Sequence, residues 1–215
     1  MSLKPITIAL TGASGLQYGL RLVECLLRAE HPVYLLISKA AYLVAQLEMG
    51  LSLAKNSKKL IHFISERYQT QPELLSVFSE EEWTAPIASG SGITEAMVIC
   101  PCTAGCLAAI AHGLSDNLIE RAADVILKER KKLILVPRET PYSTLHLKNM
   151  LSLSEMGAII LAPNPGFYHQ PTTIEDLIDF VVARILDQLT IPHTLLQAWG
   201  KTAKEDFKNG SSTNT

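Results

Sequence analysis

The chain has little excess charge of either sign: 19 lysines and arginines stand against 21 aspartates and glutamates, a formal charge of −2. That balance gives no basis for holding nucleic acid by its phosphates. No apolar run approaches the roughly 18 residues that a membrane-spanning helix requires. The start, MSLKPITIAL, enters a strand pattern without the basic–apolar–small plan of a secretory leader. The expected compartment is therefore the cytoplasm, where the four cysteines would be reduced thiols. Cys100, Cys102 and Cys106 lack the paired CxxC spacing of a zinc site, and no histidine is near them. With Cys25 they read as small buried apolar residues, and no metal is expected.

What is present is the pattern of a globular α/β protein. With 215 residues and 47% hydrophobic content, the chain suits one domain over residues 1–200. The polar tail from 201 to 215, ending in GSSTNT, is expected to be disordered. Strand patterns fall at Ile6–Leu10, Val33–Ile37, Ala96–Cys100, Leu133–Val136 and Ala158–Leu161. They are nearly all apolar, as strands covered on both faces should be. Helical patterns fall at Leu16–Ala29, Lys39–Leu47, Thr103–Ala111, Leu118–Lys131, Thr144–Met156 and Ile174–Leu189. The last is expected to start with a capping box of Thr172 and Glu175. Residues 52–84 are polar and without clear order. This alternation predicts a Rossmann-like or flavodoxin-like three-layer sandwich with a mainly parallel sheet.

Ligands in such sheets sit beyond the carboxyl ends of the strands. The stretch ITIALTGASG (6–15) is a strand, a glycine-punctuated turn and the start of a helix. Its bare helix N-terminus suits a phosphate, with Gly12 and Gly15 allowing close backbone approach. A dinucleotide fits poorly: G-x-G-x-x-G is absent, and the second strand ends in Ser38-Lys39 without a ribose-binding carboxylate. Thr103, Arg138, Glu139 and Tyr168 follow later strands, so hydroxyls, a guanidinium and a carboxylate should converge on one edge.

Several longer segments carry a family resemblance. TGASG with Tyr18-Gly19, ISKAA (37–41), ASGS (88–91), MVICPC (97–102), NLIERAADVILKER (117–130), LVPRETP (135–141) and PGFYHQP (165–171) resemble the flavin prenyltransferases of the UbiX type. The resemblance runs from about Ile6 to Trp199. It implies transfer of a dimethylallyl group from dimethylallyl phosphate to reduced FMN, without a metal. The product, prenylated FMN, would serve a partner UbiD-type decarboxylase, often on the route to ubiquinone. The chain is consistent with metal independence, having no DDxxD-type cluster. The family also implies a large homo-oligomer, a dodecamer, with sites between subunits.

Carried over by motif, Gly12, Ala13, Ser14, Ser38, Thr103, Ala104, Gly105, Cys106 and Arg138 would hold FMN. Cys106 stands where the family usually has threonine, and Thr103 where it usually has serine. The prenyl phosphate would meet Ser89, Gly90, Arg121, Lys128, Glu139, Tyr168 and Arg184. A monophosphate leaves poorly, so fixed positive charge and donors are needed where its own charge grows. Glu139 beside it makes sense as a proton relay. Ser14 and Glu48 would manage protons at the flavin, and Trp199 would cover the site and stabilise an allylic cation through its π face.

Ordinary alternatives stand beside these roles. Ser14 could be only a helix cap, and Glu48 a surface carboxylate. Arg121 and Lys128 lie on a charged helix that could simply be solvated. Arg184 sits in an apolar stretch that suggests a partly buried, paired arginine on either view. Tyr168 and His169 lie in a loop, and Trp199 could merely pack the C-terminus. Two other functions remain open: an FMN-dependent cysteine-type decarboxylase, for which His62 is the histidine to consider, and a flavin carrier without catalysis.

Overall fold

The computed structural model describes residues 3–92 and 94–196. Six strands, β1 (Ile6–Leu10), β2 (Val33–Ile37), β3 (Leu75–Phe78), β4 (Ala96–Cys102), β5 (Lys132–Pro137) and β6 (Ile159–Ile160), form one sheet in the order β3-β2-β1-β4-β5-β6. All five pairings are parallel. Every residue of β1 and β4 is buried, which is why these strands read as unbroken apolar runs. Ile6 lies opposite both Val33 and Ala96, so β1 is the shared centre of the two halves.

Helices cover both faces. On one side α1 (Leu16–Arg28), α2 (Lys39–Met49), α3 (Ser57–Tyr68) and α7 (Ile174–Leu189) pack on Ile8, Leu35, Val98 and Ile134. On the other, α4 (Ala104–Ala111), α5 (Leu118–Lys128) and α6 (Thr144–Glu155) pack on Ala9, Met97, Ile99 and Leu135. Successive strand residues thus serve opposite layers, the period-two consequence of the pleat. The crossover leaving β1 goes to one face and the crossover leaving β4 to the other. Their divergence opens a crevice at the carboxyl ends of these two strands.

The expected sandwich is therefore present, with several corrections. Residues 52–84 are ordered, holding α3 and the edge strand β3. Leu60, Ile64 and Tyr68 give α3 its buried stripe, and Asn56 caps it by accepting from Lys59 N–H at 3.1 Å. β4 runs through Pro101 to Cys102, two residues beyond the expected end. Thr103 is the cap of α4 and not its first residue. α1, α5 and α6 end earlier than the apolar pattern suggests, and β6 shrinks to two residues. All four cysteines are free; Cys100 and Cys102 are buried, Cys25 and Cys106 partly so. No helix among the described residues is long and apolar enough to cross a membrane. The tail and Trp199 lie outside the described residues.

The capping box of α7 is one residue later than expected, formed by Thr173 and Asp176. Asp176 accepts from the N–H groups of Thr172 at 2.8 Å and Thr173 at 2.9 Å, which leaves Glu175 no role in the cap. These donors hold the Asp176 carboxyl below its usual range. A group with a depressed folded pKa stabilises above its unfolded value, about 3.9 for Asp, and loses that contribution as pH falls through the folded one. Thermal unfolding should therefore show wild type more stable than Asp176→Asn at neutral pH. The gap should narrow steadily below about pH 4.

Candidate active site

Two clefts flank the turn that follows β1. Thr11, the last buried residue before the turn, ties it to β4. Its hydroxyl donates to Pro101 C=O at 2.7 Å and accepts from Thr103 N–H at 2.9 Å. Gly12 then passes so close to α2 that a Cβ here would overlap the Cβ of Ala40. Gly15 turns into α1 with φ +95°, a left-handed conformation that only glycine adopts without strain.

The smaller cleft, about 170 Å³, is where three helices begin. Ser38 caps α2, accepting from Ala41 N–H at 3.2 Å. Thr103 caps α4, accepting from Cys106 N–H at 3.1 Å. Asn117 caps α5, accepting from Ile119 and Glu120 N–H at 3.0 and 3.1 Å. All three caps line the cleft. Ala104 and Gly105, the first residues of α4, have N–H groups with no hydrogen-bond partner among the described residues. Converging helix dipoles, with spare N–H donors at the start of α4, are features that suit an anion. Cys106 also lines it; the neighbouring Cys102 thiol is held protonated by its contact with Cys106 and by burial.

The larger cleft, about 480 Å³, lies on the far side of the turn and is lined by Ser14, Tyr18, Glu48, Arg138, Pro163 and Ile178. Its apolar walls and polar rim suit a flat ring. Arg138 follows β5, and its Nε is buried without a partner. A guanidinium N–H in that state is a donor waiting for an acceptor. Burial pushes the Tyr18 hydroxyl pKa upward, keeping it a neutral donor.

The N-terminus of α1 is less open than the sequence suggests. Gly15, not Ser14, is its N-cap, and its N–H donates to Glu48 Oε2 at 3.0 Å. Ser14 is thereby left exposed, its hydroxyl lining the cleft beside Glu48. Gly12, Ser38, Thr103 and Cys106 share the smaller cleft, while Ser14, Glu48 and Arg138 share the larger one. Ala13 is buried beneath the turn. Glu139 follows Arg138 and accepts from Thr140 N–H at 3.3 Å.

The remaining candidates lie elsewhere, on opposite faces of the sheet. On the α5 side, Arg121 Nε donates to Ala88 C=O at 3.0 Å and its Nη1 pairs with Asp124 at 2.7 Å. A Cβ on Gly90 would lie 3.1 Å from Lys128 Nζ, and Lys128 pairs with Glu129. Ser89 and Ser91 hydroxyls are 3.1 Å apart in the same loop. On the α7 side, Arg184 pairs with Asp187 at 2.6 Å in a groove that Phe180 also lines. The Tyr168 ring meets Phe180 edge-on at 5.8 Å. Arg184 is paired as expected but exposed, because its position on α7 points away from the apolar core. His62 lies exposed on α3, 3.3 Å from Glu66, and lines neither cleft. His169 is no free surface residue: it stacks on Phe180 with both ring nitrogens buried.

Sequence reasoning missed Asn117, whose place before an apolar helical run was a legible cap signal. It also missed Pro163 and Ile178, whose part in the larger cleft depends on tertiary packing.

A family model described as Flavoprotein matches residues 1–186. The chain is 55% identical over 196 residues to the flavin prenyltransferase UbiX of Pseudomonas aeruginosa, covering 91% of this chain and 94% of that one. Its fold is similar to the crystal structure of AnUbiX (PadA1) in complex with FMN and dimethylallyl pyrophosphate, at TM-score 0.81 and 36% identity, covering 93% and 98% of the two chains. It is also similar to a dodecameric FMN-dependent UbiX-like decarboxylase of Escherichia coli O157:H7, at TM-score 0.80 and 37% identity, covering 91% and 98%.

Thr11→Val should leave the Thr103 N–H unpaired at the base of the site and reduce the Pro101 carbonyl to its 3.3 Å bond from the Thr11 N–H. The expected cost is about 1–3 kcal/mol in denaturant unfolding, whereas Thr11→Ser should restore most of the stability.

Proposed function

The chain belongs to the Flavoprotein family and, within it, to the flavin prenyltransferases of the UbiX type; from that premise we propose how its residues divide the work of moving a dimethylallyl group from dimethylallyl phosphate to reduced FMN. The observation that carries the reading is the pair of clefts on either side of Gly12–Gly15. One is built from helix N-termini, and the other is apolar with a buried, unpartnered Arg138 Nε. A phosphate suits the first and a flat ring with acceptors suits the second, so these residues fit FMN. Reduced FMN supplies the electron-rich ring nitrogen and carbon to which the prenyl group is joined.

The chain's own residues do the rest. Ser38, Thr103, Ala104 and Gly105 hold the phosphate with hydroxyl and N–H donors, with Gly12 and Cys106 as the wall beside them. Ala13 seats the turn, and Arg138 donates to the ring's acceptors. Ser14 and Glu48 line one cleft, where a hydroxyl and a carboxylate can pass a proton at the ring. Arg121, Lys128 and Arg184 supply the charge that a departing phosphate needs, with Ser89, Gly90 and Tyr168 as further contacts. Glu139 hands that phosphate its proton. Trp199 lies outside the described residues.

Arg121 and Lys128 lie across the sheet from Arg184, so one chain cannot easily bring them to a single phosphate. This supports a site completed between subunits of a homo-oligomer. Exposed pairs such as Leu43 with Leu47 on α2 and Leu147 with Leu151 on α6 supply apolar surface for such contacts. A dodecamer is the assembly we infer, with prenylated FMN passing to a UbiD-type decarboxylase on a route such as that to ubiquinone. Four free thiols agree with a reducing cytoplasm.

Incubation with reduced FMN and dimethylallyl phosphate should raise the flavin's mass by one prenyl unit, and an unchanged mass would sink the reading. Arg121→Ala and Arg184→Ala should each lower kcat/KM by about 10²–10³-fold. Co-expression of the two should give mixed oligomers that recover part of the activity, since some sites would receive both intact residues. Absence of recovery would place both arginines in sites within one chain.

A further inference from the structure

The helix-begun cleft has an unexpected lining for a phosphate site. Two carboxylates, Glu80 and Glu120, line it, while no lysine or arginine does so among the described residues. Glu120 is committed locally, accepting from Asp116 N–H at 2.9 Å. Glu80 is different. Its backbone carbonyl accepts from Leu118 N–H at 2.8 Å, fixing it against the start of α5. Its side chain reaches across to α2, where Oε2 accepts from Lys39 N–H at 2.9 Å. That N–H is the first of α2 and belongs to the same set of donors an incoming phosphate would use. The ammonium of the same lysine, Lys39 Nζ, is exposed and paired with Glu81 at 2.8 Å.

We propose that Glu80 is a built-in competitor of the flavin phosphate, a residue that sets how readily phosphate-bearing flavin leaves the site. The proposal rests on the phosphate of FMN occupying this cleft. Prenylation changes the ring and leaves the 5′-phosphate intact, so product is held by the same donors as substrate. A cleft with three helix N-termini and no opposing charge would retain it. A carboxylate at the edge of that cleft repels the phosphate and takes over the vacated N–H, which lowers the barrier to release.

Glu80→Gln keeps the acceptor on Lys39 N–H and removes only the charge. It should tighten FMN binding about tenfold, the scale of one charge repulsion at a partly solvated site. Most of the change should appear as slower flavin dissociation in fluorescence stopped-flow. Riboflavin, which lacks the phosphate, should bind the variant and the wild type equally. Single-turnover prenylation should keep its rate while steady-state turnover falls. Glu80→Ala should tighten FMN in the same direction, and Glu81→Gln should change neither ligand's affinity. If wild type prefers FMN to riboflavin but both Glu80 variants bind FMN no tighter, the competitor role is overturned. If wild type does not distinguish FMN from riboflavin, the phosphate placement fails, and the role of Glu80 with it.

Discussion

The constraint on which the rest depends is the position of β1 between β2 and β4, buried on both faces in an all-parallel sheet. A parallel strand must be followed by a crossover, and the crossovers after β1 and β4 leave on opposite sides. The crevice between them is thus a consequence of connectivity. The Thr11 hydroxyl fastens its floor by joining the end of β1 to Pro101 and to the cap of α4. Because the turn is anchored there, Gly12 can lie against Ala40 and separate one crevice into two clefts of different character.

Electrostatics at this edge are carried by backbone more than by side-chain cations. Ser38, Thr103 and Asn117 each satisfy one or two N–H groups of their own helix and leave the remainder of the dipole facing the cleft. The same positive ends attract the chain's own carboxylates. Glu48 occupies Gly15 N–H and Glu80 occupies Lys39 N–H. A binding site built from helix ends is therefore also one in which acidic residues can hold ligand positions, and the balance between them sets affinity.

Arg121, Lys128 and Arg184, unlike Arg138, line neither of these clefts. Arg121 and Lys128 belong to a helix packed on one face of the sheet and Arg184 to a helix on the other, each held by a neighbouring acid. Such pairing keeps the charges in place on α5 and α7. The division suits a reaction in which one partner is bound by backbone dipoles and the other by side-chain positive charge.

Much of this was legible in the linear chain. The apolar runs at Ile6–Leu10 and Val33–Ile37 marked the central strands to the residue, because burial on both faces leaves no polar position to confuse the pattern. The motifs around Ser14, Arg138 and Tyr168 pointed to a flavin and to a prenyl donor through resemblance. Other features were hidden for physical reasons. β3 is a four-residue edge strand with too few residues to show a period, and the shift of the α7 cap from Thr172 to Thr173 depends on which carboxylate can reach two N–H groups. By itself, then, the sequence determined the layers, the central strands and the chemical identity of the residues at the strand ends, since these follow from local periodicity and composition. Only the tertiary structure decided that Gly15 caps α1, that three helix N-termini share one cleft with Glu80, and that the arginines fall on opposite faces. Those outcomes depend on which distant elements the sheet order brings together, and no local pattern encodes that distance.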